Sequence, residues 1–192
     1  MAARTSRIKK ITTSLNGRSI VLIGLMGCGK SSIGRRLATR LKLPFADADS
    51  EIEQAAGKSI AEIFSEDGES AFRDGERRVI ARLLDNPSQV LATGGGAFMN
   101  AEIRGNIAAH AISIWLRADL DLLMERVSRR SHRPLLQTAD PRAVMQSLIT
   151  ERYPVYEQAD ITVDSRQAAH DIIVRDVVKK LADYLTTTCI ED

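Results

Sequence analysis

Ser19-Ile-Val-Leu-Ile-Gly-Leu-Met-Gly-Cys-Gly-Lys-Ser31 decides the fold of this 192-residue chain. Its first half is a continuous apolar, β-branched run, the pattern of a strand buried on both faces of a parallel sheet. Its second half, Gly24-Leu-Met-Gly-Cys-Gly29-Lys30-Ser31, fits G-x-x-x-x-G-K-[ST] at every fixed position. The glycines permit conformations that turn successive N–H groups inward around phosphate oxygens. Ile33, Leu37, Ala38 and Leu41 then recur at helical spacing until Pro44 stops the helix, whose N-terminal end adds positive potential to the cradle. Strand, phosphate-binding loop and helix in that order predict an ATP-binding phosphotransferase. Gly27, Cys28, Gly29, Lys30, Ser31 and Ser32 are the expected nucleotide contacts. Lys30 would carry a mobile charge to the β- and γ-phosphates, and Ser31 a hydroxyl to Mg2+. The dinucleotide fingerprint G-x-G-x-x-G does not fit, which weighs against an NAD enzyme.

Further along, Phe45-Ala-Asp47-Ala-Asp49 reads as a short strand ending in carboxylates, and Ser50 or Asp49 can cap the helix that Gly57 closes. Ser59-Ile-Ala-Glu62 is a capping box that opens a helix towards Phe64, and another helix spans about 69–84. A third strand, 89–93, runs into Gly94-Gly95-Gly96; a helix over 100–107 precedes a fourth strand, 111–116. A helix over 120–127 is followed by a polar, arginine-rich loop over 128–139, and Asp140-Pro141 starts a helix through the 150s. Residues 161–163 make the fifth strand and 168–185 a closing amphipathic helix. This alternation predicts an α/β fold of three layers, a five-stranded parallel sheet flanked by helices, with ligands at the carboxyl ends of the strands. One domain is expected over 18–192. Its insertions at about 50–84 and 126–140 would serve as a substrate-binding segment and a lid.

Net charge is +2, with 44% hydrophobic and 27% charged residues, ordinary for a globular protein. No apolar run approaches the roughly 18–20 residues that span a bilayer, so no membrane association is expected. Residues 1–18 carry Arg4, Arg7, Lys9, Lys10 and Arg18 and no acid; the remainder has 22 basic against 25 acidic residues, or −3. That body charge does not support nucleic-acid binding. The acid-poor start has the composition of some targeting segments but no apolar centre, and a flexible, solvated extension over 1–17 is the favoured reading. Cys28 and Cys189 lie far apart without metal-ligand spacing, which points to a reducing cytoplasm. Cys28 is either a small residue filling the loop, the favoured reading, or an oxidation-prone thiol near a helix N-terminus.

Asp47 and Asp49, two apart on one strand, would point to the same face and suit a magnesium shell and a base for an attacking hydroxyl; the alternative is that Asp49 only caps a helix. Three glycines after a buried strand favour close approach of backbone to a ligand over a simple turn. Arg73 has Glu76 one helical turn on, a pair that can hold the guanidinium in place. Arg126, Arg129, Arg130 and Arg133 form a loop-borne cluster with no interleaved aromatic residues, which favours a phosphate-clamping lid over a nucleic-acid face.

Together these segments resemble shikimate kinase over nearly the whole chain. The resemblance is carried by Gly24–Ser31, Asp47-Ala-Asp49, Ile63-Phe-Ser-Glu-Asp-Gly-Glu-Ser-Ala-Phe-Arg73, Thr93-Gly-Gly-Gly96, Arg133-Pro-Leu-Leu136 and Arg152-Tyr-Pro-Val-Tyr156. It implies a P-loop kinase fold and transfer of the γ-phosphate of ATP to the 3-hydroxyl of shikimate. By position it implies that Asp47 helps to hold Mg2+, that Asp49 binds the hydroxyls beside the reacting oxygen, and that Arg73 and Arg152 grip the substrate carboxylate. Gly95 and Gly96 would contact ring hydroxyls, Arg133 the transferring phosphate, and Arg126 adenine, with the loop at Ser165-Arg166 completing that pocket. Lys30, Asp49 and Arg133 are thus the expected catalytic residues, and a monomer is expected. Cys28 stands where the family often has Ala or Ser, and the lid sequence Ser128-Arg-Arg-Ser-His132 departs from the more acidic or glycine-rich lids of the family. The rival readings are a gluconate or nucleoside monophosphate kinase and a nucleotide-dependent regulatory protein without catalysis.

Overall fold

The computed structural model describes residues 2–128 and 139–188. β1 (Ser19–Ile23), buried at every position, is the central strand of a parallel sheet. With β2 (Phe45–Asp47), β3 (Val90–Ala92), β4 (Ala111–Arg117) and β5 (Ile161–Asp164) the order is β2-β3-β1-β4-β5. The register sets Leu22 opposite Ala92 and Ile114, Asp47 opposite Ala92, and Arg117 opposite Asp164. All five carboxyl ends therefore open at one edge, and the expected α/β sheet is present.

α2 (Lys30–Leu41) follows β1, and α3 (Ala48–Ala56), α4 (Ile60–Glu62), a π-helical turn (Ile63–Asp67) and α5 (Gly68–Leu84) join β2 to β3. α6 (Ala101–His110) leads to β4, α7 (Leu120–Ser128) and α8 (Pro141–Tyr156) lie between β4 and β5, and α9 (His170–Thr188) closes the chain. The right-handed rule for parallel crossovers places α2 on one face and α5, α6 and α8 on the other, and α9 returns to pack on α2. Contact between α2 and the sheet is close enough to require Gly34, since a Cβ there would lie 2.6 Å from the Phe45 ring and 3.2 Å from Leu22 Cδ1. The chain's one tryptophan, Trp115, is 1% exposed in β4, edge-on to Tyr153 and Tyr156 and beside Gly24. No helix among the described residues is long and apolar enough to cross a membrane.

Local signals hold where a side chain can cap. Ser59 accepts from the Glu62 N–H while Glu62 accepts from the Ser59 N–H, and Asp140 accepts from the Ala143 N–H. Two expectations change. The second strand stops at Asp47 and Ala48 already begins α3, so Asp47 and Asp49 do not share a strand face; the Asp47 side chain, rather than Ser50 or Asp49, caps α3 by accepting from the Asp49 N–H at 3.2 Å. The basic start is not a solvated tail throughout: α1 (Ala2–Ser14) packs on α2 and α9, and Ile11 and Leu15 are 2% and 0% exposed.

Candidate active site

The strand ends and helix N-termini enclose a cleft of about 480 Å³. Its floor is the phosphate loop. Gly24 (φ 135°) passes so close to β4 that a Cβ would sit 2.8 Å from the Leu116 carbonyl oxygen, and Gly29 (φ 103°) caps α2 in a left-handed conformation. Gly27, Gly29, Lys30, Ser31 and Ser32 all line the cleft. Lys30 Nζ donates to the Gly24 and Leu25 carbonyls at 2.8 and 3.0 Å, folded back over the loop that would cradle phosphate. Cys28 is 1% exposed with its thiol turned inward, 3.8 Å from Lys30 Nζ, as befits a small residue filling the loop.

Arg126, from α7, straps the loop to the segment after β5. Its guanidinium donates to the Cys28 carbonyl, Ser165 Oγ and the Arg166 carbonyl at 3.2, 2.8 and 3.0 Å. It also lines the cleft, together with Gln167, Ala168 and His170. Arg166, expected at the nucleotide, instead turns its guanidinium to Asp176 on α9 at 2.8 Å, because a carboxylate is offered there on the outside of the fold. Burial first, then the neighbouring Arg36 and Arg126, hold His170 below the ordinary histidine range.

Asp47 and Asp49 reach the same cleft as Ser31 in spite of their changed local geometry. A hydroxyl and a carboxylate suit Mg2+, a hard cation commonly held by one or two protein oxygens plus substrate phosphates and waters. Among the described residues no group of three His, Cys, Asp or Glu side chains forms a self-sufficient metal cage.

Beside them, the turn after β3 gathers the remaining candidates. A Cβ on Gly94 would lie 2.9 Å from both Asp49 Oδ1 and Glu76 Oε1, and a Cβ on Gly96 would lie 2.7 Å from Arg73 Nη1. Arg152 Nη1 donates to the Gly95 carbonyl at 3.1 Å. Gly94 and Gly96 thus answer to close approach of two carboxylates and a guanidinium, whereas a Cβ on Gly95 would meet nothing nearer than 3.5 Å. Arg73 donates to Glu76 at 2.8 Å, as the helical spacing predicts, and Glu76 is itself buried. Burial pushes the Glu76 carboxyl above its ordinary range; Arg73 partly offsets this, and Asp49 adds to it. Glu76 Oε1 and Arg152 Nε are both buried without a hydrogen-bond partner among the described residues. An unused acceptor and donor at one turn suit a ligand bearing both hydroxyls and an anion.

The structure therefore brings together Lys30, Ser31, Asp47, Asp49, Gly95 and Arg126 in one cleft, with Arg73, Gly96 and Arg152 at its turn. Arg133 and most of the expected lid lie outside the described residues. Three residues without a role expected from the sequence also belong here: Tyr156, which donates its hydroxyl to the Gly95 carbonyl, and Gln167 and His170. Signals for them existed. Tyr156 stands four residues from Arg152 on one helix face, and Gln167 and His170 follow the carboxyl end of a strand.

The family model "Shikimate kinase" matches residues 26–182. A shikimate kinase of Bradyrhizobium diazoefficiens is 61% identical over 91% of this chain and 84% of its own length. One of Rhodopseudomonas palustris is 55% identical over 96% and 91%. Among solved structures, a shikimate kinase of Acinetobacter baumannii in complex with shikimate superposes with a TM-score of 0.83 at 34% identity, covering 88% of this chain and 95% of that one.

Proposed function

Since this chain belongs to the shikimate kinase family, we propose that it transfers the γ-phosphate of ATP to the 3-hydroxyl of shikimate, a step towards chorismate and the aromatic amino acids. ATP lies along the phosphate loop, its phosphates on the N–H groups from Gly27 to Ser32 and its adenine beside Arg126 and the loop after β5. Lys30 leaves the Gly24 and Leu25 carbonyls for the β- and γ-phosphates. Ser31 and Asp47 hold Mg2+, which when bound offsets phosphate charge.

The acceptor lies over the Gly94–Gly96 turn. Arg73, steadied by Glu76, and Arg152 fork its carboxylate, and Gly95 and Gly96 meet its ring hydroxyls through backbone. Asp49 orients the 3-hydroxyl and takes its proton as the new oxygen–phosphorus bond forms and the bond from the γ-phosphorus to ADP breaks. Arg133 closes over the transferring phosphate from the lid at about 126–140, and the residues around 50–84 carry the acceptor grip. Every residue in this scheme comes from a single chain, consistent with a monomer. A reduced Cys28 packed inside the loop is consistent with the cytoplasm.

The observation that carries this reading is the convergence of Arg73, Arg152, Asp49 and buried Glu76 on one glycine turn beside the phosphate cradle. It is tested by ADP release with shikimate, gluconate and AMP assayed side by side. Turnover on shikimate alone is expected; turnover on either other acceptor with none on shikimate would reject it.

A further inference from the structure

The turn that follows β3 satisfies most of its own backbone. The Gly94 carbonyl accepts from the Ala97 N–H at 3.3 Å and the Gly96 carbonyl from the Met99 N–H at 3.0 Å. The Gly95 carbonyl is held instead by two side chains of α8, the Tyr156 hydroxyl and Arg152 Nη1. These donors stand four residues apart, on one face of the helix. Both donors therefore converge on a single peptide oxygen.

A carbonyl and the N–H of the following residue belong to one planar trans peptide and point in opposite directions. Fixing the Gly95 oxygen therefore fixes the line along which the Gly96 N–H points. Two donors on the carbonyl also polarise that amide and strengthen its N–H as a donor. Glycine backbone needs such an anchor, because it has wide conformational freedom of its own.

Of the two donors, only Tyr156 is dedicated to this task. Arg152 also serves the acceptor carboxylate in the proposed function. Tyr156 is 0% exposed, and its ring is wedged among Phe98, Trp115 and Tyr153 at centroid distances of 6.4, 5.9 and 6.2 Å. A buried ring with two side-chain torsions is a stiff strut from α8 and the sheet to one peptide oxygen. Burial also raises its hydroxyl well above the ordinary range, so that it remains a donor at every working pH.

Building on the assignment of the acceptor to this turn, we infer that Tyr156 is a positioning residue: its hydroxyl, with Arg152, pins the Gly95 carbonyl and so aims the Gly96 N–H at a substrate hydroxyl. The residue acts through the Gly95–Gly96 peptide and does not touch the substrate.

Tyr156→Phe removes the hydroxyl and keeps the ring. The expected result is a KM for shikimate raised roughly tenfold, the effect of about one hydrogen bond, with the KM for ATP within about twofold of wild type. In the 1H–15N spectrum of the unliganded protein, the Gly96 amide proton should move upfield as its peptide loses a donor. Tyr153→Phe is the control for ring packing, since that hydroxyl donates to the Ala118 carbonyl and the ring lies in the same aromatic cluster. It should leave both the shikimate KM and the Gly96 resonance in place. A folded Tyr156→Phe protein with an unchanged shikimate KM, an unmoved Gly96 resonance, or a Tyr153→Phe protein that reproduces both changes would each overturn the inference. Failure of wild-type protein to phosphorylate shikimate would reject the functional assignment instead, while the amide resonance would still score the pin.

Discussion

Glu76 shows how one buried carboxylate can set the geometry of a site it only borders. It holds Arg73 at 2.8 Å, faces Asp49 across Gly94, and leaves one oxygen without a partner among the described residues. Arg73→Ala should raise the KM for shikimate roughly 10- to 100-fold, the range for a lost charge-assisted hydrogen bond. ATP affinity should stay within about twofold, and titrations of each ligand separately would check the division; equal losses would show that the two subsites are not separate. Glu76 also carries a pH signature. Its folded-state pKa is raised above the ordinary 4.5, first by burial. The folded protein therefore keeps the proton longer than the unfolded chain, and the resulting stabilisation is complete below 4.5 and lost as pH rises through the folded value. Glu76→Gln abolishes that titration. Melting curves should show the variant gaining on wild type as pH rises from 4.5 towards neutrality, whereas a constant difference would mean that the carboxyl is not perturbed.

At the scale of elements, the contact between α2 and β2 decides how close the phosphate loop stands to the Asp pair. Gly34 permits that contact, and the Phe45 ring it meets is covered on another side by the Arg35 guanidinium 4.8 Å from its centroid. Gly34→Ala would force the ring or the helix to shift, at about 1–3 kcal/mol for overpacking. The better helix propensity of alanine returns only about 1 kcal/mol. The melting temperature should fall by several degrees; an unchanged or raised value would mean that the interface yields freely. The helix starts at Ser59 and Asp140, where the capping residue does not end a strand, were legible from sequence. The passage from β2 to α3 was not. A three-residue strand running straight into a helix leaves no turn residue to mark the change, and over so short a span carboxylates two apart read as one strand face.

Over the whole molecule, the parallel sheet and the edge that bears the site followed from five strand-sized runs and one phosphate loop, because buried parallel strands have few other sequence solutions; the order β2-β3-β1-β4-β5 comes from the structure alone. The basic composition of the first residues conceals a helical signal, since Ile8, Ile11 and Leu15 are spaced by three and four. α1 packs on α2 and α9 and covers core side chains away from the cleft. Deleting residues 2–16 should therefore lower the melting temperature by roughly 5–10 °C, the loss of about two buried aliphatic side chains, while kcat and both KM values stay within about twofold. Unchanged stability would return the segment to the status of a tail.

The position of Trp115 has an optical consequence. All indole emission comes from one ring, which sits under the phosphate loop at Gly24 and edge-on to Tyr153 and Tyr156, close enough for both phenols to pass excitation to it. Light absorbed by those tyrosines is thus reported from the seam between the nucleotide cradle and the acceptor turn, and the protein carries its own probe of how the two halves move when each is filled.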